Sequence, residues 1–311
     1  MKIVFFGTPE FSTHFLKALH SDKDFSVIAV ICQPDKLVGR KKILTAPETK
    51  KFALEHNIKV LQPISLKDKS VVNEISKINA DIFVVVAYGK IIPDTILNIP
   101  KYGCINIHPS LLPKYRGPSP IQSAILNQEK ETGVSIMLLD SKMDHGPILS
   151  QAKISVDDEE VPETLRNKVV EVGTPLLLET IKKYINGSIK PTAQNESTAT
   201  ICKLLARKDG LIDWTKSAEQ IYAQIRALTP WPSSYSILNT GEKDKQIKIL
   251  KAEISDKRFN SGEIIFENKC MFVGTASYAL KIIELQEEGK SKMFVEEFIN
   301  GHKNINHATF L

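Results

Sequence analysis

The sequence predicts an α/β chain: a Rossmann-like, mostly parallel, doubly wound sheet followed by a smaller C-terminal β-barrel of OB-like type. Three observations point there. At 311 residues the chain is about twice the size of a usual domain, so two domains are expected. Its first half alternates short, wholly apolar runs with amphipathic stretches, the pattern of strands covered by helices on both faces. Beyond residue 210 the runs become short, β-rich and regularly spaced, as in a small barrel. Hydrophobic residues at 42% and charged residues at 25% lie near globular averages, which excludes disordered, collagenous and coiled-coil chains.

Taken in order, residues 2–8 form the first strand run, and Pro9-Glu10 opens a helix to residue 20 with Phe11, Phe15, Leu16 and Leu19 on one face. Residues 25–32 read as a second buried strand, 46–56 as a helix, 58–61 as a short strand and 68–78 as a helix. Ile82-Phe83-Val84-Val85-Val86 is the strongest central-strand signal, within a strand over 81–88. A strand over 103–108, a proline-rich loop, a helix over 120–127, a strand over 134–139 and a long helix over 162–185 complete the first part. Asn186-Gly187-Ser188 and the polar, Thr-rich run that follows read as linker. One helix over 218–228 then precedes Pro230-Trp231-Pro232 and strands at 235–238, 246–254, 262–266, 270–274 and 279–285. The expected division is a sheet domain over 1–189, a linker over 190–206 and an OB-like domain over 207–311.

No apolar run reaches the roughly 18 to 20 residues of a membrane helix, and the first run is too short for a signal peptide. A cytoplasmic location is expected. Cys32, Cys104, Cys202 and Cys270 lack metal-ligand spacing and read as reduced, buried small hydrophobes. The net charge of +5 is a cancellation: residues 36–51 and 182–208 each carry a local +5, which leaves the remainder at −5. Clustered basic charge on an acidic body fits a polyanionic partner, with a solvated lysine face as the competing reading. No heptad or apolar stripe demands a partner chain, so a monomer is expected.

Phe6-Gly7-Thr8-Pro9-Glu10-Phe11 has one glycine where a dinucleotide fingerprint has three, which argues against NAD or FAD, and no phosphate-binding P-loop motif occurs. The informative stretch is Asn106-Ile107-His108-Pro109-Ser110-Leu111-Leu112-Pro113, at the end of a predicted strand. Strand side chains alternate with period two, so Asn106 and His108 share a face, and Pro109 stops the strand beyond them. Asp144-His145-Gly146-Pro147 follows the next strand, where an aspartate can fix the tautomer of His108 and stabilise its cation.

Asn106-x-His108-Pro109-Ser110-Leu111-Leu112-Pro113 resembles the signature of the folate-dependent formyltransferases. The resemblance implies a formyltransferase fold with Asn106, His108 and Asp144 as catalytic groups and Ser110, Leu111, Leu112 and Pro113 as the loop that meets the folate. The formyl donor it implies is (6S)-10-formyltetrahydrofolate, a co-substrate, with no metal. Three features narrow it: the start at Phe6–Phe11, the basic stretch Pro34-Asp35-Lys36-x-x-Gly39-Arg40, and the C-terminal Asp209-Gly210-Leu211-Ile212-Asp213-Trp214 with Pro230-Trp231-Pro232. These resemble the members whose acceptor is initiator methionyl-tRNA, in which a loop after the second strand reaches the acceptor end. Arg40 is then expected to seat the acceptor stem, and Lys41 and Lys42 to contact phosphates.

Two departures stand out: His145 where the family has a small residue, read here as an exposed turn residue, and Glu287 where a proline is common. Two other readings stay open, formyl transfer to a small amine such as a nucleotide sugar, and an RNA-binding OB module on an inactive sheet domain.

Overall fold

The computed structural model describes residues 1–39, 41–239, 244–302 and 309–311. They form two compact units, one of residues 1–117, 131–155 and 166–202, the other of residues 118–130, 156–165 and 203–311. The segment expected as linker is thus shared, with 190–202 in the first unit and 203–206 in the second.

In chain order the elements are β1 (Lys2–Gly7), α1 (Glu10–Ser21), β2 (Ser26–Ile31), β3 (Lys36–Val38), β4 (Ile43–Thr45), α2 (Glu48–Glu55) and β5 (Lys59–Leu61). Then come α3 (Lys69–Lys77), β6 (Ile82–Val86), α4 (Asp94–Leu97), β7 (Cys104–His108), α5 (Pro120–Leu126), β8 (Glu131–Leu138), β9 (Ile148–Ser155) and α6 (Pro162–Ile185). The first unit is built on one sheet of order β5-β2-β1-β6-β7-β8-β9. Its five strands from β5 to β7 are parallel, and their central runs Ile3–Phe6, Ala29–Ile31 and Ile82–Val86 are buried and apolar, as in a sheet with helices on both faces. All five residues of β6 are buried, and Ser12 of α1 ties its helix to the sheet by donating to the Val86 carbonyl at 2.6 Å.

Beyond β7 the direction changes: β8 runs antiparallel to β7, and β9 antiparallel to β8. The apolar run over 134–139 predicted the strand but not its direction, since buried strands of either sense look alike. β9 escaped sequence reading because Ser150, Gln151, Lys153 and Ser155 leave it no continuous apolar run. The hairpin β3–β4 escaped it as well, being two exposed three-residue strands with no core face.

The second unit contains α7 (Ala218–Leu228), β10 (Ser234–Asn239), β11 (Lys245–Ile254), β12 (Ile264–Glu267), β13 (Cys270–Val273), β14 (Leu280–Glu287), β15 (Met293–Phe294), α8 (Val295–Gly301) and β16 (Thr309–Phe310). Its antiparallel sheet has the order β12-β13-β14-β11-β10-β16, with β15 beside β14. A bridge between Glu263 and Thr309, with Phe310 N–H donating to Gly262 O at 2.9 Å, brings the two ends together and nearly closes a barrel. α7 begins with a reciprocal capping box between Ser217 and Gln220 and packs Ile221 and Ile225 into the barrel core. Trp214 is buried there, stacked on Phe310 with ring centroids 5.4 Å apart, and its indole N–H donates to Ser236 Oγ at 2.9 Å.

Cys32, Cys104 and Cys202 are buried, and burial pushes the Cys32 and Cys104 thiols up to about 11 and about 12. Cys270 corrects the sequence reading: it opens β13 and is half-buried. No helix is long and apolar enough to cross a membrane among the described residues. Much of the second basic segment is neutralised locally, because Lys182 pairs with Asp22 and Asp24, Lys183 with Glu179 and Lys203 with Asp209. Glu287 is buried in β14, where Lys290 Nζ donates to it at 2.8 Å.

Trp214→Ala removes the stacked ring that fills the barrel and is expected to cost about 3–5 kcal/mol of stability in urea unfolding. A loss below about 1 kcal/mol would show that the barrel does not close on this side chain.

Candidate active site

β7 is the strand at which the sheet passes from parallel to antiparallel pairing, with Asn106 opposite Val85 on one side and Met137 on the other. Ligand sites in open α/β sheets gather at such carboxyl ends. All five residues of β7 are buried, so Asn106 and His108 reach the strand end from within the fold. Among the described residues nothing hydrogen-bonds the Asn106 side chain, which leaves its amide free to donate.

The His108 ring is held at both nitrogens. Nε2 lies 2.8 Å from the Tyr115 carbonyl oxygen. A carbonyl only accepts, so Nε2 carries the hydrogen, and in the neutral ring Nδ1 is the lone-pair nitrogen. Nδ1 faces Asp144 Oδ2 at 3.6 Å, with 5% and 14% of the two side chains exposed. That distance is too long for a hydrogen bond, so the carboxylate faces the lone-pair nitrogen of the ring without bonding it.

Asp144 is itself positioned. Its Oδ2 accepts from the Gly117 N–H at 2.7 Å, and its φ of 49° lies in the left-handed region, which an aspartate tolerates better than most residues. Gly117 has φ 116°, and a Cβ there would lie 2.5 Å from the Cys202 carbonyl oxygen. At Gly146 a Cβ would lie 1.9 Å from the Leu138 carbonyl oxygen, so only glycine lets the 144–146 turn fold back against β8.

Of the four residues expected to meet the folate, Ser110 and Leu112 are buried, while Leu111 and Pro113 keep partial exposure. Ser110 Oγ donates to Lys114 O at 2.6 Å. The loop is shaped from below by two residues the sequence reading missed. Ser135, opposite His108 in β8, donates to Ser110 O at 2.6 Å and accepts from Leu112 N at 3.0 Å. Gln151 of β9 donates to Leu112 O at 2.9 Å and to Ser135 Oγ at 2.8 Å.

The polar run over 190–202 is no free linker. Thr192 exchanges two 2.8 Å backbone bonds with Ile148, Arg116 N–H donates to Thr200 O at 2.9 Å, and Cys202 N–H donates to Arg116 O at 2.8 Å. Buried Arg116 donates through both terminal nitrogens to Glu196, at 3.0 and 2.6 Å. The hydrogen-bonded carboxylate raises the guanidinium's pKa, and the guanidinium lowers that of Glu196. His145 is a third exposed, with Nδ1 2.6 Å from Asp140 Oδ2 and Nε2 3.5 Å from Glu196 Oε1. It is therefore half-buried and tied into this network, where the sequence reading expected an exposed turn residue.

Lys41 and Lys42 lie exposed in the turn of the β3–β4 hairpin, whose Leu37, Val38, Ile43 and Leu44 are also exposed. Arg40 lies outside the described residues. Among the described residues no group of three or more His, Cys, Asp or Glu side chains is arranged to hold a metal ion.

Residues 1–181 match the family described as Formyl transferase, and residues 204–303 match Formyl transferase, C-terminal domain. Methionyl-tRNA formyltransferase from Thermodesulfovibrio yellowstonii is 46% identical over 301 residues, covering 97% of this chain and 96% of that protein. The protein of the same name from Caldanaerobacter subterraneus is 40% identical over 314 residues and covers 100% of both chains. Among solved structures, an N-formyltransferase from Helicobacter canadensis in complex with folinic acid and dTDP-3-aminofucose superposes with a TM-score of 0.65 at 19% identity, covering 92% of this chain and 98% of that one. HypX from Aquifex aeolicus in complex with tetrahydrofolic acid gives a TM-score of 0.63 at 16% identity, covering 96% of this chain and 47% of that one. At these identities the two structures share the fold.

Gly146→Ala forces a methyl group against the Leu138 carbonyl and is expected to cost about 1–3 kcal/mol in chemical denaturation. An unchanged midpoint would show that the 144–146 turn is not tightly packed.

Proposed function

The chain belongs to the formyl transferase family, and we propose that Asn106, His108 and Asp144 are the groups with which it transfers the formyl group of 10-formyltetrahydrofolate to the α-amine of initiator methionyl-tRNA. The single observation that carries the assignment of the three groups is the arrangement at the end of β7. An unpaired amide donor stands one strand period from an imidazole whose free nitrogen faces a carboxylate.

In the reaction the α-amine attacks the formyl carbon, negative charge develops on the formyl oxygen, and one proton must pass from the amine to N10 of the folate. Neutral His108 keeps its hydrogen on Nε2 and receives that proton at Nδ1. Asp144 Oδ2, 3.6 Å away, accepts a second N–H of the same amine and steadies the imidazolium once formed. His108 then returns the proton to the departing nitrogen, so the enzyme ends as it began. Asn106 donates to the formyl oxygen, an interaction that strengthens as charge develops there. The Tyr115 carbonyl already holds Nε2–H, so we assign the oxygen to Asn106 and the proton to His108.

For the folate we assign the loop Ser110, Leu111, Leu112 and Pro113, with partly exposed Leu111 and Pro113 as its apolar surface and Ser110 and Leu112 as its brace. For the tRNA we assign Lys41 and Lys42 at the hairpin turn, together with Arg40. Functionally we divide the chain into a catalytic part over 1–189, a connecting segment over 190–206 and an OB-like, tRNA-binding part over 207–311, and we read the protein as a cytoplasmic monomer.

His108→Ala is expected to lower kcat by about 10²–10⁴ and Asn106→Ala by about 10²–10³, with the KM for methionyl-tRNA little changed. Either variant turning over at the wild-type rate would remove that residue from the mechanism. The KM for tRNA should climb steeply with salt, and the double substitution Lys41→Ala, Lys42→Ala should flatten the log–log slope by about 1–2. A slope unchanged by that substitution would return the hairpin to an ordinary solvated surface.

A further inference from the structure

We propose that Gln194, from the segment expected as linker, is a positioning residue for formyl transfer that acts through Asp144. This inference rests on the assignment of Asp144 above. The Gln194 side-chain amide is fully engaged at one place. Its Nε2 donates to the Asp144 carbonyl oxygen at 2.9 Å and to the Gly146 carbonyl oxygen at 2.7 Å, and its Oε1 accepts from Arg116 Nε at 2.9 Å.

That single group spans the two ends of the turn that presents the Asp144 carboxylate. Asp144 has a left-handed backbone, and these two side-chain hydrogen bonds hold the carbonyls at both ends of its turn. Gln194 is aimed in turn by Arg116, whose guanidinium plane is locked by the two-pronged contact to Glu196. The same arm also reaches the other half of the pair. Thr200 Oγ1 accepts from Tyr115 N–H at 2.8 Å, next to the carbonyl that fixes His108 Nε2. One strap of chain therefore sets both the carboxylate and the imidazole.

The chemistry of the residue is specific. A glutamate has the same length but no hydrogens to give the two carbonyls, and an asparagine falls one methylene short. Loss of the clamp lets the turn relax, and a catalytic group displaced by about 1 Å can cost about 10²-fold in rate. Because Gln194 touches neither reacting group, its loss should fall on kcat and leave both KM values nearly alone.

The test is a double-mutant cycle on the full chain with Gln194→Ala, Gln194→Glu, Asp144→Asn and the pairwise combinations, assayed with both substrates at excess enzyme so that residual turnover is measurable. Each Gln194 variant is expected to lower kcat about 10–100-fold with both KM values within about threefold. In the Asp144→Asn background the same substitutions should cost less than about twofold. Amide exchange at Gly117, whose N–H donates to Asp144 Oδ2, should accelerate in the Gln194 variants, with far-UV circular dichroism unchanged. Equal losses in both backgrounds, or unchanged kcat for Gln194→Glu, would overturn the inference while leaving the assignment of Asp144 intact. Wild-type turnover by Asp144→Asn would overturn the assignment of Asp144 and the inference with it.

Discussion

The contact between His108 Nε2 and the Tyr115 carbonyl, at 2.8 Å, decides what the rest of the site can do. A peptide oxygen has no hydrogen to give, so the ring is held as its Nε2–H form whenever it is neutral. The nitrogen left free is the one beside Asp144. Had the carbonyl met Nδ1 instead, the bare nitrogen would be Nε2, and the ring's acceptor would no longer be the atom seen facing Asp144. A main-chain atom, indifferent to side-chain identity, thus selects the tautomer on which the mechanism depends.

Placing that atom requires backbone that ordinary loops do not adopt. Tyr115 and Asp144 both have positive φ, at 59° and 49°, and each sits where the chain reverses beside the end of β7. Such conformations persist when neighbours over-determine them. Here the neighbours are Ser135 and Gln151 below the loop, Gly117 beside it, and the arm over 190–202 across it. The change from parallel to antiparallel pairing at β7 contributes too, since it puts Ser135 of β8 directly opposite His108.

The parts of this account legible in the sequence are those governed by local rules. Apolar runs such as Ile82–Val86 announced the buried strands, and the period of two placed Asn106 and His108 on one face. The motif around them carried the family. Strand direction was not legible, because a buried run such as that of β8 fits either sense. The polar arm was not legible either. Thr192, Gln194, Glu196 and Thr200 have the composition of a linker, and their value lies in hydrogen bonds to residues about 40 to 85 positions away in sequence. His145 shows the same limit, since Asp140 and Glu196 bring it into a network that no local pattern announces.

The most direct test of the central claim is the protonation of the His108 ring itself, read by nitrogen-15 NMR of the labelled imidazole across the pH range in which the protein stays folded. The account predicts a neutral ring that carries its hydrogen on Nε2, with Nδ1 bare and facing Asp144. A neutral ring with its hydrogen on Nδ1 would contradict it, because the proton acceptor would then point at a carbonyl and Asp144 would have no part in the transfer.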